Sequence, residues 1–309
     1  MCGIVGAVAR RPVGDILLTG LERLEYRGYD SAGVAVLEEA PDGTASIAVR
    51  KTVGKVASLA AALAAAPTAG TAGIAHTRWA THGVPSEANA HPHVSGGAVA
   101  LVHNGIIENH DALRERLTGL GYRFVSETDT ETIVHLVHHH FAATKRLAEA
   151  VRLAVEELEG AFALGVVHSA APDRLVAARR GSPLVVGVGI GENYIASDVL
   201  ALRAVTDRFI FLEEGDLVEI TRDGVSIFDT ADLAVVRATV RVELGAEDTD
   251  KGNYRHHMLK EIHQQPLVSK HTLEGRLSRA HVLEECLGLR AKEILDAVRA
   301  VTIVGCGSA

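Results

Sequence analysis

No stretch of this 309-residue chain reaches the roughly 18 consecutive apolar residues that a membrane-spanning helix needs. The Ala-rich segment 56–75 is interrupted by Pro67, Gly70 and Gly73, so a membrane span is not expected. A signal peptide is not expected either, because the apolar opening is short and Arg10 and Arg11 follow it instead of preceding it. Basic residues are not in excess: 31 Lys and Arg against 39 Asp and Glu give a formal charge of −8, so no overall field draws the chain to nucleic acid or anionic lipid. Cysteine is scarce, and Cys2, Cys286 and Cys306 form an odd set at wide spacing without a CxxC pair. That excludes a disulfide framework and points to a reducing, cytoplasmic setting. What remains is ordinary globular usage, 47% hydrophobic and 23% charged, in a length that suggests two domains or one large one with an appendage, with small molecules or proteins as partners.

Periodicity predicts a strand over 4–9, then a helix carrying Ile16, Leu17, Leu21 and Leu24 up to a stop at Gly28. Two strand-like runs flank Pro41-Asp42-Gly43-Thr44, which has the chemistry of a hairpin turn. Buried strands are expected over 73–76 and 98–103, with a long loop at 81–95 of the kind that often carries function. Helices follow over 111–117, 130–140 and 146–158, the second opened by a Thr128-Asp129-Thr130-Glu131 cap, and a strand is expected over 122–125. Seven further strands fill 162–228. Paired helices among runs of strands indicate α+β layers, not a doubly wound parallel sheet. Composition changes after Val240, which divides the chain into domains 1–240 and 241–309.

Several residues have the chemistry of a site. Removal of Met1 would place the α-amine of Cys2 beside its own thiol, and an amine of pKa about 7.7–8.0 is a built-in base for a nucleophile. Arg78, in the run His76-Thr77-Arg78-Trp79-Ala80-Thr81-His82-Gly83 where a strand gives way to loop, can clamp a carboxylate bidentately or simply make a surface ion pair. Asn104 and Gly105 end the next strand and are oxyanion-hole donors in type, or only a turn. Asp129 is either a helix cap or a partner for a ligand ammonium. The triplet His138-His139-His140 reads as a solvated helix face, since adjacent helical residues diverge by about 100° and cannot converge on a metal ion. Gly305-Cys306-Gly307 is too short a match to argue for a dinucleotide. Neither a metal nor another cofactor is expected.

Met1-Cys2-Gly3-Ile4-Val5-Gly6, Glu25-Tyr26-Arg27-Gly28-Tyr29-Asp30-Ser31-Ala32-Gly33, the run from His76 to Gly83, Ala90-His91-Pro92-His93 and His103-Asn104-Gly105-Ile106-Ile107-Glu108-Asn109 together resemble the glutamine:fructose-6-phosphate aminotransferase family. The resemblance continues through Ala196-Ser197-Asp198 and Phe211-Leu212-Glu213-Glu214-Gly215-Asp216. It implies a four-layer αββα sandwich of the N-terminal-nucleophile hydrolase type, acting as a class II glutamine amidotransferase. By the same resemblance Cys2 is the nucleophile that forms a glutamyl thioester, and Asn104 with Gly105 is the oxyanion hole. Arg78 binds the glutamine α-carboxylate, Asp129 its α-ammonium, Trp79, Thr81 and His82 shape the pocket and its closing loop, and Arg27 lies near the nucleophile.

In this family ammonia passes to a sugar isomerase half, where fructose 6-phosphate is converted to glucosamine 6-phosphate, and the full-length enzyme is expected to be a homodimer. Lys260-Glu261-Ile262-His263-Gln264-Gln265-Pro266 resembles the approach to that half, with His263 and Gln264 departing from the usual residues. Cys306-Gly307-Ser308 resembles the start of its sugar-phosphate loop, so the last segment is expected to be the incomplete beginning of an isomerase domain. Two alternatives stand beside this reading. One is another class II amidotransferase, such as the phosphoribosyl-transferring kind, against which 25–33 and 305–308 argue; the other is a non-catalytic amino-acid-binding module.

Overall fold

Alternation along the strands builds the molecule. Val5 and Ala7 of β1 (Gly3–Val8) pack into one hydrophobic cluster, while Ile4 and Val8 pack into another on the opposite side. The same division occurs in β6 (Val99–Ile107), where Val99 and Leu101 face one cluster and Ala100 and Val102 face another. Strands buried on both faces require a layer on each side, and the result is two sheets packed together with helices outside each. The computed structural model describes residues 2–40, 42–80, 83–242, 254–255, 257–273, 291–300 and 302.

Between β1 and β6 lie β2 (Ser31–Glu39), β3 (Ala45–Val53), β4 (Ala72–Arg78) and β5 (His93–Ser95). After β6 come β7 (Gly160–His168), β8 (Arg174–Arg180), β9 (Val185–Val188), β10 (Asn193–Ala196), β11 (Arg208–Phe211), β12 (Leu217–Thr221), β13 (Val225–Phe228), β14 (Ala234–Val235) and β15 (Thr239–Arg241). One sheet has the order β15-β11-β9-β10-β1-β4-β2-β3 and the other β14-β13-β12-β8-β7-β6-β5, with every ladder antiparallel. Helices α1 (Gly14–Leu24) and α2 (Val56–Ala65) cover the first sheet through Leu17, Leu21, Leu24 and Leu59. Helices α3 (His110–Gly119), α4 (Thr130–Thr144) and α5 (Leu147–Glu157) cover the second through Leu117, Ile133, Leu136, Val137 and Val151. Between the sheets Ile4, Ala35 and Ile74 meet Ala100, Val102 and Ala163. This is the αββα sandwich expected from the resemblance, and the hairpin at Asp42 is present, its Oδ1 accepting from the Thr44 amide and hydroxyl.

Three local expectations need correction. Residues 122–125 do not form a strand, because their backbone groups find other partners: the Tyr122 N–H donates to the Leu117 carbonyl, and the Val125 N–H donates to the Glu131 carboxylate. Asp129 sits at the N-cap position of α4 but makes no side-chain cap bond. His138, His139 and His140 are half-buried instead of solvated; His138 shares a hydrogen bond with Ser95 Oγ, and His140 meets Glu157 at 2.7 Å. The Ala-rich run read only as too broken to span a membrane supplies α2.

Packing divides the chain into two compact units, Met1–Thr249 and Asp250–Ala309. The sandwich occupies the first. Helices α6 (His257–Leu273) and α7 (Ala291–Ala297) belong to the second, and α6 exposes Met258, Ile262, Leu267 and Val268. Among the described residues no helix is long and apolar enough to cross a membrane.

Candidate active site

At one end of the sheet interface the apolar filling gives way to polar side chains, in the same alternation. Ala72 and Ile74 of β4 are followed on that face by His76 and Arg78, and Ala100 and Val102 of β6 by Asn104. Cys2 stands just before β1 in step with Ile4. Cys2, Arg78, Trp79, His91, His103, Gly105, Thr128, Asp129 and Thr130 line a single small cavity there, with about 20 Å³ of free space. That is room for about one water, so an amino-acid ligand can enter only as a wall gives way, and Trp79, half exposed and edge-on to Tyr29, is the outermost part of the wall.

The Cys2 sulfur lies against the backbone of Trp79, accepting from its N–H at 3.2 Å and donating to its carbonyl at 3.4 Å. Burial pushes the thiol above its ordinary range, against the opposing pull of the Trp79 N–H and the Arg78 guanidinium. Asn104 Nδ2 donates to the Cys2 carbonyl at 3.1 Å, and the same Asn104 amide turns its oxygen to His76 Nε2 at 3.0 Å. Gly105 has a φ of 133°, and a Cβ there would come 1.9 Å from the Ala161 carbonyl oxygen, so only glycine fits this bend beside the cavity.

Arg78 and Asp129 place a cation and an anion on the same cavity. Burial lowers the Arg78 guanidinium pKa, an effect that Cys2, Asp30 and Asp129 oppose. Arg78 Nη2 donates to the Gly83 carbonyl at 3.3 Å. Asp129 Oδ2 accepts from the Ile107 N–H at 2.9 Å and stands 3.9 Å from His103 Nδ1, so its side chain turns from the helix toward β6 and the cavity. Arg27 does not line the cavity; its Nη2 donates to Asp198 Oδ2 at 2.7 Å and its Nε to the Tyr26 hydroxyl. Thr81 and His82 lie outside the described residues, as do Cys286, Cys306 and Ser308.

Four supporting residues escaped sequence reasoning. Asp30 Oδ2 accepts from the Ala80 N–H and its own N–H donates to the Arg78 carbonyl, bracing the strand end that carries Arg78 and Trp79. His103 and Thr130 join β6 to α4 beside Asp129. His76 is the fourth. The available signal was parity: His76 lies two residues before Arg78, and in a strand that puts both on one face.

Residues 76–204 match the sequence profile of the glutamine amidotransferase domain family. Among solved structures, a glutamine phosphoribosylpyrophosphate amidotransferase from B. subtilis complexed with ADP and GMP superposes with a TM-score of 0.64 at 23% identity, over 74% of this chain and 49% of that one. A second, described as the allosteric regulatory enzyme of purine biosynthesis, gives the same TM-score at 22% identity. The fold is therefore that of these amidotransferases, and residues 76–204 carry the likeness to the glutamine amidotransferase domain. Glutamine–fructose-6-phosphate aminotransferases (isomerizing) from Pseudomonas aeruginosa, Pseudomonas syringae pv. tomato and Shewanella oneidensis are 59%, 60% and 54% identical over 308 residues. The chain is similar to these enzymes over its whole length, and it spans about half the length of the curated relatives it matches.

Proposed function

We propose that this chain hydrolyses glutamine to glutamate and ammonia through a thioester on Cys2. The observation that carries the reading is the single cavity on which a thiol, a guanidinium, a carboxylate and Gly105 meet. An α-amino acid presents one carboxylate and one ammonium, and Arg78 with Asp129 offers the complementary pair. With both α-substituents held, the side-chain amide of glutamine would reach Cys2.

In this reading Met1 is removed and the α-amine of Cys2 takes the thiol proton, which offsets the upward push of burial on the thiol. The sulfur attacks the amide carbon, and negative charge develops on the amide oxygen. Asn104 has a second N–H beyond the one donated to the Cys2 carbonyl, and with Gly105 it would stabilise that charge. The protonated amine then gives its proton to the departing nitrogen, and water releases glutamate from the thioester. Trp79 walls the cavity, with Thr81 and His82 in the pocket roles that the resemblance implies. Arg27 acts at one remove, through Asp198.

We further propose that the ammonia serves glucosamine 6-phosphate formation from fructose 6-phosphate in the complete, dimeric, cytoplasmic enzyme, with residues 1–240 as the glutaminase domain and 241–309 as linker and the start of the isomerase. The test combines an assay with a mass. The purified chain should release ammonia from glutamine, and an electrophilic glutamine analogue should add one equivalent to the peptide bearing Cys2. Label on Cys286 or Cys306 instead, or no release, would refute the assignment.

A further inference from the structure

His76 is fully buried at the end of β4, beneath the cavity, and makes two contacts through one atom: Nε2 lies 3.0 Å from the His103 carbonyl oxygen and 3.0 Å from Asn104 Oδ1. The proton on this imidazole can be placed by elimination. Asn104 Nδ2 points at the Cys2 carbonyl, which can only accept, so that side of the amide is its NH₂ and the other side is its oxygen. Both groups facing His76 Nε2 are then pure acceptors, and Nε2 must carry the hydrogen. Nδ1 has no hydrogen-bond partner among the described residues, and a bare lone pair there costs less than a buried, unmatched N–H. Burial lowers the ring pKa to about 3, and the His91 ring lies over it with centroids 4.2 Å apart. The imidazole is therefore neutral at working pH and held in one tautomer.

An amide donates usefully to a developing oxyanion only if its NH₂ end faces the reacting carbon. Flipping the Asn104 side chain by 180° would put its NH₂ against the Nε2–H of His76, two donors facing each other in a dry site, and turn its oxygen toward the reaction centre. The desolvated N–H of His76 penalises that arrangement. The contact spans two sheets, β4 in one and β6 in the other, so it also sets the distance between the strand that holds Arg78 and the strand that holds Asn104.

We infer that His76 is a positioning residue for amide hydrolysis: its neutral Nε2–H locks the Asn104 carboxamide in the one orientation that offers N–H to the transition state. The inference rests on the glutaminase reading above. It assigns His76 no contact with substrate and no proton transfer.

The experiment uses the full chain with Cys2 amino-terminal, and compares His76→Leu, His76→Gln, Asn104→Ala and the Leu/Ala double variant with the parent. Glutamine keeps its carboxylate and ammonium partners in all four, so KM should stay within about threefold. The Leu variant should lose about 10- to 100-fold in kcat. Gln can present an N–H near the position of Nε2, and His76→Gln should recover most of the loss. The double variant should be no more than about threefold slower than Asn104→Ala, because the donor that His76 orients is already gone. Binding of glutamate γ-semialdehyde, which forms a tetrahedral adduct with the thiol, should weaken in step with kcat. Equal damage from Leu and Gln, a KM that rises as far as kcat falls, or multiplicative losses in the double variant would each overturn the inference. If the parent releases no ammonia, the glutaminase reading fails and the inference with it; an active parent with an unaffected Leu variant sinks the inference alone.

Discussion

The Trp79 amide donates to the Cys2 sulfur across 3.2 Å, bringing together residues 77 positions apart in the chain. The thiol is thus docked on the backbone where β4 ends, on the same cavity as Arg78, while the Cys2 carbonyl accepts from Asn104.

Cys2→Ala should abolish ammonia release from glutamine, while Cys286→Ala and Cys306→Ala leave it within about twofold of the parent. A nucleophile contributes a whole reaction path, so no partial activity is expected from its loss. Initial rates for the three variants decide the point, and turnover surviving in Cys2→Ala would remove the thioester from the mechanism.

Asn104→Ala and Arg78→Lys should fail differently. Loss of an oxyanion donor lowers kcat by about 10²- to 10³-fold with little change in KM. Arg78→Lys replaces a planar fork by a point charge, and should mainly raise KM, as should Asp129→Asn. Steady-state kinetics on glutamine separate the cases; a shared pattern across all three would show that these groups do not divide transition-state stabilisation from substrate binding.

Gly105→Ala should destabilise the sandwich as well as the site. The added Cβ meets the Ala161 carbonyl, and a φ of 133° is strained for any L side chain. Such backbone strain costs about 1–3 kcal/mol before the clash is counted, and each kcal/mol lowers Tm by about 2–4 °C in a domain of this size. Thermal melts of the two proteins should show the drop; an unchanged Tm would mean that the β6–β7 ladder relaxes freely.

Glu131 should govern part of the acid stability. Burial works to raise its pKa, but hydrogen bonds from the Val125 and Ser126 N–H groups and the Ser126 hydroxyl, with the His135 ring 3.7 Å away, outweigh that and hold it at about 2, below the ordinary 4.5. A depressed carboxylate contributes its full stability above pH 4.5 and loses it as pH falls toward 2. Glu131→Gln should therefore cost about 1–3 kcal/mol at pH 7, with the gap narrowing between pH 4.5 and 3. Urea titrations across that range give the comparison, and a gap independent of pH would place the effect in packing alone.

Sequence reading went furthest where chemistry is local. Cys2 beside a chain terminus, Arg78 at a strand end and the Asn104-Gly105 pair were visible because each needs only its own residue type and its place on a strand. The helices α4 and α5 were legible from their apolar spacing. Residues 122–125 misled because apolar content reports burial without naming a hydrogen-bond partner, and there a carboxylate six residues on takes the backbone N–H that a neighbouring strand would have taken. Arg27 pairs with Asp198, 171 positions away, a contact that residue type and local spacing do not name.

The amino-acid sequence by itself determined the alternation that buries each strand on two faces, and hence the four layers, together with the residue types able to attack, to bind a carboxylate and to donate to an oxyanion. Tertiary structure decided which of them meet. Cys2 just before β1, His76 on β4 and Asn104 on β6 come from two sheets, and the hydrogen bonds that join Asn104 to the other two depend on the register and spacing of those sheets. Period-two patterning specifies which face a side chain takes but not what stands opposite it across the interface, so the orientation of the Asn104 amide became readable only once Cys2 and His76 were seen on either side of it.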